Sequence, residues 1–546
     1  MKHLSVKKLV GIGVGAAAAL AVCSRSSPLS PTNDWGDANI YFTIGRGMLE
    51  GLVPYRDLLD HKGPLLYFLH AAAALVSDSS FFGVWLWEVA AGAAFLWFSL
   101  QSVSLFCPEH LSLLTVLLVA GAVYSSPAFA QGDSAEELCL PLLAFLDRAG
   151  NQVVGGIGQE ICDRLKEVDG VNKHLPSPLL NSITSVNAAW MSVVLFEMCE
   201  EEKALDVLLY AELDRVIVEN GTVKGITVLC KGHRMSFGAD VVIDGTGDGH
   251  VIYQAGAKYE KGGSKHKGGM QSPALCFELS NVDYDKSIAY LEQNPEEYGV
   301  PDTFEGMRQN ISFLKDNVCF NVMGFYSLVK KAKANGDFNI PRNMIDYCKQ
   351  LTGNAFINVT RAVNSDSTDP ESMVQAEFLC HRQVKEAYQM IRKYLPGFEN
   401  CQLVSIMPYT GVRESRRLVG KKKLTLQDVL ALNIPEDTVA IAGYNRDTHS
   451  PKDGQMHLLA VEHGVGIPYG CLVSENVEGL LAAGRDISTD QDAFAMIRVM
   501  PTCLAVGQAS GTAAALAVRE KCTPSQLNVA ELRQELVQDG AIIDLP

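Results

Sequence analysis

The chain changes character once, near residue 146, and that change limits what it can fold into. Before it stand four apolar runs: Leu9–Val22, Leu65–Val76, Phe81–Phe106 and Leu111–Ala130. After Leu146, charged residues become frequent, and no later run is long enough to span a membrane. A chain of 546 residues also exceeds one ordinary hydrophobic core, so two or more domains are expected. Lys2, Lys7 and Lys8 precede the first run, the pattern of a signal peptide or a first span. The further runs favour an anchor. Lysines inside and an even number of spans return the chain to the cytoplasm. Glu88 interrupts the third run and needs an inward-facing partner there. The expectation is an α-helical transmembrane segment over residues 1–146, in contact with the lipid bilayer, and a folded module on the cytoplasmic side.

Charge and cysteine usage remove several function classes. The formal net charge is −16, and no basic block or basic, aromatic-rich stripe occurs, so nucleic-acid binding is not expected. The 14 cysteines are scattered; the closest pair, Cys503 and Cys522, is 19 residues apart. Local zinc and iron–sulfur motifs are therefore missing, and no metal site is expected. Gly11, Gly13 and Ala16 fit the letters of the dinucleotide fingerprint G-x-G-x-x-(G/A). The context does not fit: only Leu9 and Val10 precede it as strand material, and residues 24–33 are rich in Ser and Pro. The run reads as a membrane span.

The polar stretch after the first run carries Asp34, Asp37, Asp57, Asp60 and Lys62 among glycines and tyrosines, and Gly132, Asp133, Glu136 and Glu137 precede another apolar run. Residues 5–145 thereby resemble the amino-terminal end of type-C membrane glycosyltransferases that use polyprenyl-phosphate sugars. That resemblance implies a base at Asp34 or Asp37 and a phosphate contact at Lys62. The family has many more spans, so the segment reads as a glycosyltransferase-like fragment without transferase activity.

The later part is patterned as an α/β protein. Gln152 to Glu167 reads as strand, glycine turn and amphipathic helix; Gly156 and Gly158 tempt towards a phosphate loop, but a tight turn fits better. Val207–Leu213 and Asp214–Val218 are strand-like, Asn220-Gly221 is a hairpin signal, and residues 223–237 continue a meander. Ala239 to Asp244 is a buried strand running into the glycine-rich turn Thr246, Gly247, Asp248. A helix is expected from Asp369-Pro370 to about Tyr394. Gly479 to Asp486 reads as a short strand ending at Gly484. It leads to a small-residue helix opening near Pro501, with Gly507, Ser510, Gly511 and Ala514 on one face. Interior glycines cost roughly 1 kcal/mol each against alanine, which makes sense where a backbone or a flat ligand comes close.

These motifs, with Gly411 to Gly420, Asp447 to His449, Ile467 to Tyr469 and Arg498 to Gly511, occur in an order that resembles the FAD-dependent oxidoreductase family related to the flavin subunit of heterodisulfide reductases. The resemblance covers roughly residues 150–520. It implies an FAD/NAD(P)-binding-type flavoprotein module over 147–522, a substrate or cap region over 258–470 and a C-terminal tail over 523–546. Family members begin with a strand, G-x-G-x-x-G and a helix; here that first βαβ unit is absent and the membrane segment stands in its place. The implied chemistry is hydride transfer between a small-molecule substrate and flavin N5. A 4Fe-4S cluster is implied only through the family relation, and the electron-transfer partner is not identified. Thr246, Gly247 and Asp248 would contact the dinucleotide part of FAD. Gly484, Arg485 and Asp486 would line its pyrophosphate or ribityl side, and Gly507 and Gly511 would let the helix approach the ring.

Arg413, His449 and Arg498 are the catalytic candidates. Arg413 can hold an anionic substrate or the flavin's electron-rich edge by fork-like hydrogen bonding. His449, two residues after Asp447, can be a general base oriented by that acid. Arg498 can balance the charge of a reduced flavin. Without the family, the arginine run around Glu414 reads as a salt-bridged face and His449 as a lone surface histidine. Two rivals stand beside the flavoenzyme: a membrane glycosyltransferase fragment, and a gene fusion at about residue 146 whose product binds no cofactor.

Overall fold

The structure is a computed structural model. It describes residues 142–263 and 269–545, and before them chiefly 71–77 and 82–86. Two compact units are present, Met1–Asp133 and Ser134–Pro546. In the first, residues 71–76 and 82–86 are helical, and Gly83 lies so close to the Ala73 carbonyl that no side chain fits. Asp34, Asp37, Lys62 and the runs Leu9–Val22 and Leu111–Ala130 lie outside the described residues, as does most of Phe81–Phe106. Among the described residues no helix is long and apolar enough to cross a membrane.

The division falls at residue 133, not 146. The apolar stretch before Leu146 belongs to the second unit: Leu142 and Leu143 pair with Thr184 and Ile183, and Leu142, Ala144 and Phe145 are fully buried. What reads in sequence as the end of a membrane run is core of the folded module.

The second unit is a mixed α/β fold. Helix α1 (Gly156–Glu167) starts from a turn whose donors are already satisfied: Gly156 N–H donates to Gly540 O and Ile157 N–H to Gln508 Oε1. The glycines there make a tight turn rather than a phosphate loop. After helix α2 (Ala188–Glu201), strands β1 (Ala211–Glu219), β2 (Thr222–Cys230) and β3 (His233–Gly238) form an antiparallel meander. Asn220 and Gly221 have φ of 50° and 75°, the pair of left-handed residues that a tight hairpin needs. Residues 207–210, the first part of the strand read over Val207–Leu213, stay outside the sheet, which begins at Ala211.

Strand β4 (Val242–Asp244) ends in the glycine-rich turn. The cap follows. Its strands β5 (Phe277–Ser280), β6 (Phe320–Gly324), β7 (Ile345–Lys349), β8 (Ala355–Ile357) and β9 (Gln402–Ile406) form one antiparallel sheet, in the order β6-β7-β8-β5-β9. Helix α3 (Pro370–Tyr394) is capped by the Asp369 side chain and packs Cys380, Val384, Ala387 and Ile391 into the cap's own core, which runs from Leu275 to Met407. The cap is thus narrower than the expected 258–470. From Leu418 on, the chain rejoins the main core. Strand β10 (Thr438–Ala442) pairs with β13 (Val465–Pro468), while β11 (Arg446–His449) pairs with β12 (Met456–Leu459).

Strand β14 (Leu480–Ala482) pairs in parallel with β4. Helix α4 (Met500–Arg519) carries Pro501 in its first turn and docks on β14 through Ser510, whose Oγ donates to Ala482 O at 2.8 Å. The stretch 523–546, expected as a tail, is instead part of the fold. Helix α5 (Val529–Gln538) buries Leu532 and Leu536 completely, and Tyr469 Oη donates to Pro524 O. Each buried leucine contributes about 1.5–3 kcal/mol relative to exposure, so this segment helps hold the main core.

Candidate active site

Arg413, His449 and Arg498 line one cavity of about 230 Å³. They arrive by different routes: Arg413 from the segment after β9, His449 from β11, Arg498 just before α4. Alternation along β11 puts Asp447 and His449 on the same side of the strand. The Asp447 carboxylate accepts from Arg498 Nη2 at 2.9 Å, and His449 Nε2 lies 3.1 Å from its Oδ1 and 3.3 Å from its Oδ2. Burial pushes Asp447 up, but the hydrogen bond from His449 and the charges of Arg498 and Arg413 outweigh it and hold the carboxyl below its usual range. An ionised carboxylate only accepts, so Nε2 of His449 carries the proton facing it. Burial also pushes His449 well below its ordinary value; Asp447 opposes this, while Arg413 and Arg361 reinforce it. The imidazole is therefore neutral at neutral pH, with its lone pair on Nδ1. That atom has no hydrogen-bond partner, and the residue is 3% exposed. His449 is a buried base held by Asp447, not a surface histidine.

Arg413 Nη1 donates to Ser272 O at 2.6 Å and Nη2 to Asn358 Oδ1 at 3.3 Å. Burial and the neighbouring Arg498 push it down to about 10. The other arginines of its run separate in space: Arg417 makes a buried ion pair with Glu414, and Arg416 lies over the Tyr253 ring. The opposite wall comes from the cap and was not anticipated from sequence. Asp346 on β7 accepts from Asn321 Nδ2 at 2.9 Å, and burial raises it to about 6 against the pull of Arg342 and Arg361. The one available signal was an acid inside the otherwise apolar run Met344, Ile345, Tyr347, Cys348.

Arg485 also lines this cavity and joins it to the glycine-rich turn. Its Nη2 lies 3.1 Å from Asp248 Oδ1. Gly247 has φ of 73°, and a Cβ there would come within 2.6 Å of the Arg485 guanidinium carbon. Thr246 Oγ1 donates to Asp244 Oδ1 at 2.7 Å and so fixes the turn itself. Asp486 is fully buried; its Oδ2 accepts from Gly249 N–H at 3.1 Å, and its Oδ1 has no partner. Burial, then repulsion from Asp244, raises it well above a normal carboxyl. The first turn of α4 packs on residues 484–486 and adds Thr502 Oγ1, also buried without a partner. Thr246, Gly247, Asp248, Gly484, Arg485 and Asp486 are thus brought together.

Gly507 and Gly511 are not part of this cluster. A Cβ at either would meet nothing within 4 Å. They open onto a separate groove beside α1, lined by Glu160, Asp163, Arg164, Glu167 and Asp539. In this fold Ser510, not the glycines, makes the close contact of α4 with the sheet. Among the described residues no group of three or more His, Cys, Asp or Glu is disposed to hold a metal ion.

The FAD dependent oxidoreductase family model matches residues 128–536, and the chain belongs to that family. A search of curated proteins finds no match. Similar solved structures are distant. A geranylgeranyl bacteriochlorophyll reductase-like protein from Thermoplasma acidophilum is 13% identical at a TM-score of 0.31, covering 66% of this chain and 62% of its own. The chain thus spans less than two thirds of that protein's length. A flavin-dependent brominase is 10% identical at 0.33 over 71% and 72%, and a myxobacterial chondrochloren halogenase 11% identical at 0.31 over 65% and 55%.

The described residues fit one end of FAD. Two orphaned buried oxygens, Asp486 Oδ1 and Thr502 Oγ1, stand beside Gly484 and the free N–H groups that open α4. Such a set suits the hydroxyls of a ribityl chain and the electron-rich edge of a flavin. For the pyrophosphate the described residues offer no comparable cradle, since the glycine turn before α1 is closed by Gln508 and Gly540.

Proposed function

We propose that the chain is an FAD-dependent oxidoreductase whose small-molecule substrate occupies the cavity of Arg413, His449 and Arg498. The observation that supports it most is the convergence of these three with Arg485, which reaches from the cofactor turn to the cavity. Bound FAD would supply two-electron chemistry, a hydride passing between the substrate and flavin N5. Asp486, Thr502 and the start of α4 would hold its ribityl and ring end. His449 Nδ1 would take or return a substrate proton, with Asp447 fixing the ring. Arg413 would orient the substrate, and Arg498, bridged to Asp447, would offset negative charge.

The test is purification of the detergent-solubilised full chain, with flavin absorbance read before and after adding FAD. Flavin retained or taken up, then bleached by a chemical reductant and restored by oxidation, is expected. A protein that stays colourless in excess FAD ends this reading. We also propose a membrane-bound location for the first 133 residues, with the flavoprotein module facing the cytoplasm; recovery of the chain in a high-salt supernatant after cell fractionation would refute it.

A further inference from the structure

The cavity is surrounded by more positive charge than its own acids use. Arg498 has Asp447 and Arg485 has Asp248. Among the described residues Arg342, Arg361 and Arg413 have no carboxylate in ion-pair contact. Arg361 is fully buried; its Nη1 donates to Thr360 O and Asn358 Oδ1, and its Nε and Nη2 have no partner. Arg342, 1% exposed, meets only the Met456 sulfur at 3.8 Å through Nη1, and its Nε and Nη2 have no partner. Arg361 and Arg413 share one acceptor, Asn358 Oδ1. Asn358, Met456 and Arg413 line the cavity itself; Arg361 and Arg342 stand directly behind the first two.

Burying a guanidinium without an anion costs several kcal/mol. Asp346 acts on Arg342 and Arg361 from a distance but is in ion-pair contact with neither; three such guanidiniums around one space are costly for folding, and an incoming anion offsets that cost. Among anions, a planar carboxylate matches the arginine fork best. The orphaned His449 Nδ1, on the same cavity, gives the rest of the molecule a polar contact.

We propose that the cavity selects a small carboxylic acid as substrate, its carboxylate held by Arg413 in the field of Arg361 and Arg342 and its reacting carbon beside His449. This rests on the reading of the cavity as the substrate site of a flavoprotein. The burial-driven lowering of Arg342, Arg361 and Arg413 agrees with it, since each guanidinium would regain stability beside an anion.

The experiment is calorimetric titration of the full chain in detergent with propionate, succinate, propionamide and inorganic phosphate, with flavin content read on the same sample. At least one carboxylate is expected to bind tenfold or more tightly than propionamide and than phosphate. Arg413→Gln should remove that preference and Arg413→Lys should keep part of it, each with a cooperative melt showing that it folds. Equal binding of acid and amide, or stronger binding of phosphate, overturns the proposal. If flavin is present and no carboxylate preference appears, the substrate class falls while the oxidoreductase reading stands. If carboxylates are preferred by a chain that takes up no FAD, the anion site stands and the redox reading falls.

Discussion

Helix α4 borders two openings, and they differ in a way that separates a site from a surface. At its start lies the cavity of Arg413, His449 and Arg498, between the cap and the main core. Two turns further on, Gly507 and Gly511 open onto a groove beside α1. Sequence patterning favoured the glycines as the place of close approach. The groove, however, is lined by satisfied groups: Arg164 bridges Glu160 and Glu201 on its rim, and Gln508 caps α1. The cavity holds buried groups left unsatisfied, at His449 Nδ1 and Arg498 Nε, with Arg342 and Arg361 behind its wall. An unsatisfied buried polar atom costs about 1–3 kcal/mol, so it is a place where a ligand or a buried water can complete the structure. Small residues alone carry no such cost and no such message.

Five substitutions or titrations bear on this contrast, the largest effect first. His449→Asn should lower turnover about a hundredfold or more, the range for loss of a general base, with flavin content unchanged. Unaltered turnover would return the histidine to a structural role. Asp346 gives a pH signature. Its folded value of about 6 lies above the ordinary 3.8, so its contribution to stability is complete below 3.8 and is lost as pH rises through 6. The difference amounts to about 3 kcal/mol. Asp346→Asn should flatten the wild-type fall in melting temperature between those values, and an identical pH profile for both would refute the assignment.

Gly247→Ala should destabilise by about 2 kcal/mol, from the left-handed backbone and the encounter with Arg485. It should also weaken flavin binding; a melt and a flavin titration that match wild type would detach the turn from the cofactor. Asp486→Ala is expected to weaken FAD by about tenfold, near 1.4 kcal/mol, without changing carboxylate binding. Loss of both would mean a collapsed fold rather than a lost contact. The smallest effect sharpens the comparison most. Gly511→Ala in the open groove should stabilise α4 by up to about 1 kcal/mol and leave flavin binding intact. Loss of flavin there would move the cofactor to the groove after all.

Much of the local structure was legible in the residues. The Asn220-Gly221 turn, the helix after Asp369 and the helix from Met500 stand where propensity and capping place them, because these depend on neighbours in sequence. The ordered motifs were enough for the family; that Arg413, His449 and Arg498, its catalytic candidates, line one cavity is seen only in the structure. The cap's share of the cavity was not legible. Asp346, Asn321 and Asn358 lie on three segments that meet only because β6, β7 and β8 pair side by side. The folded state of residues 523–546 was missed because the partner surface of α5 is distributed over the main core.

By itself, then, the sequence determined an α/β flavoprotein-family chain with an apolar first part, and offered candidate residues for its chemistry. The tertiary structure decided which of them share a space. It turned His449 from an ordinary histidine into a neutral buried base, and it left Gly507 and Gly511 facing outward. The physical reason is that periodicity records which face of an element is small or apolar, whereas desolvation and charge pairing depend on what the rest of the chain brings against it.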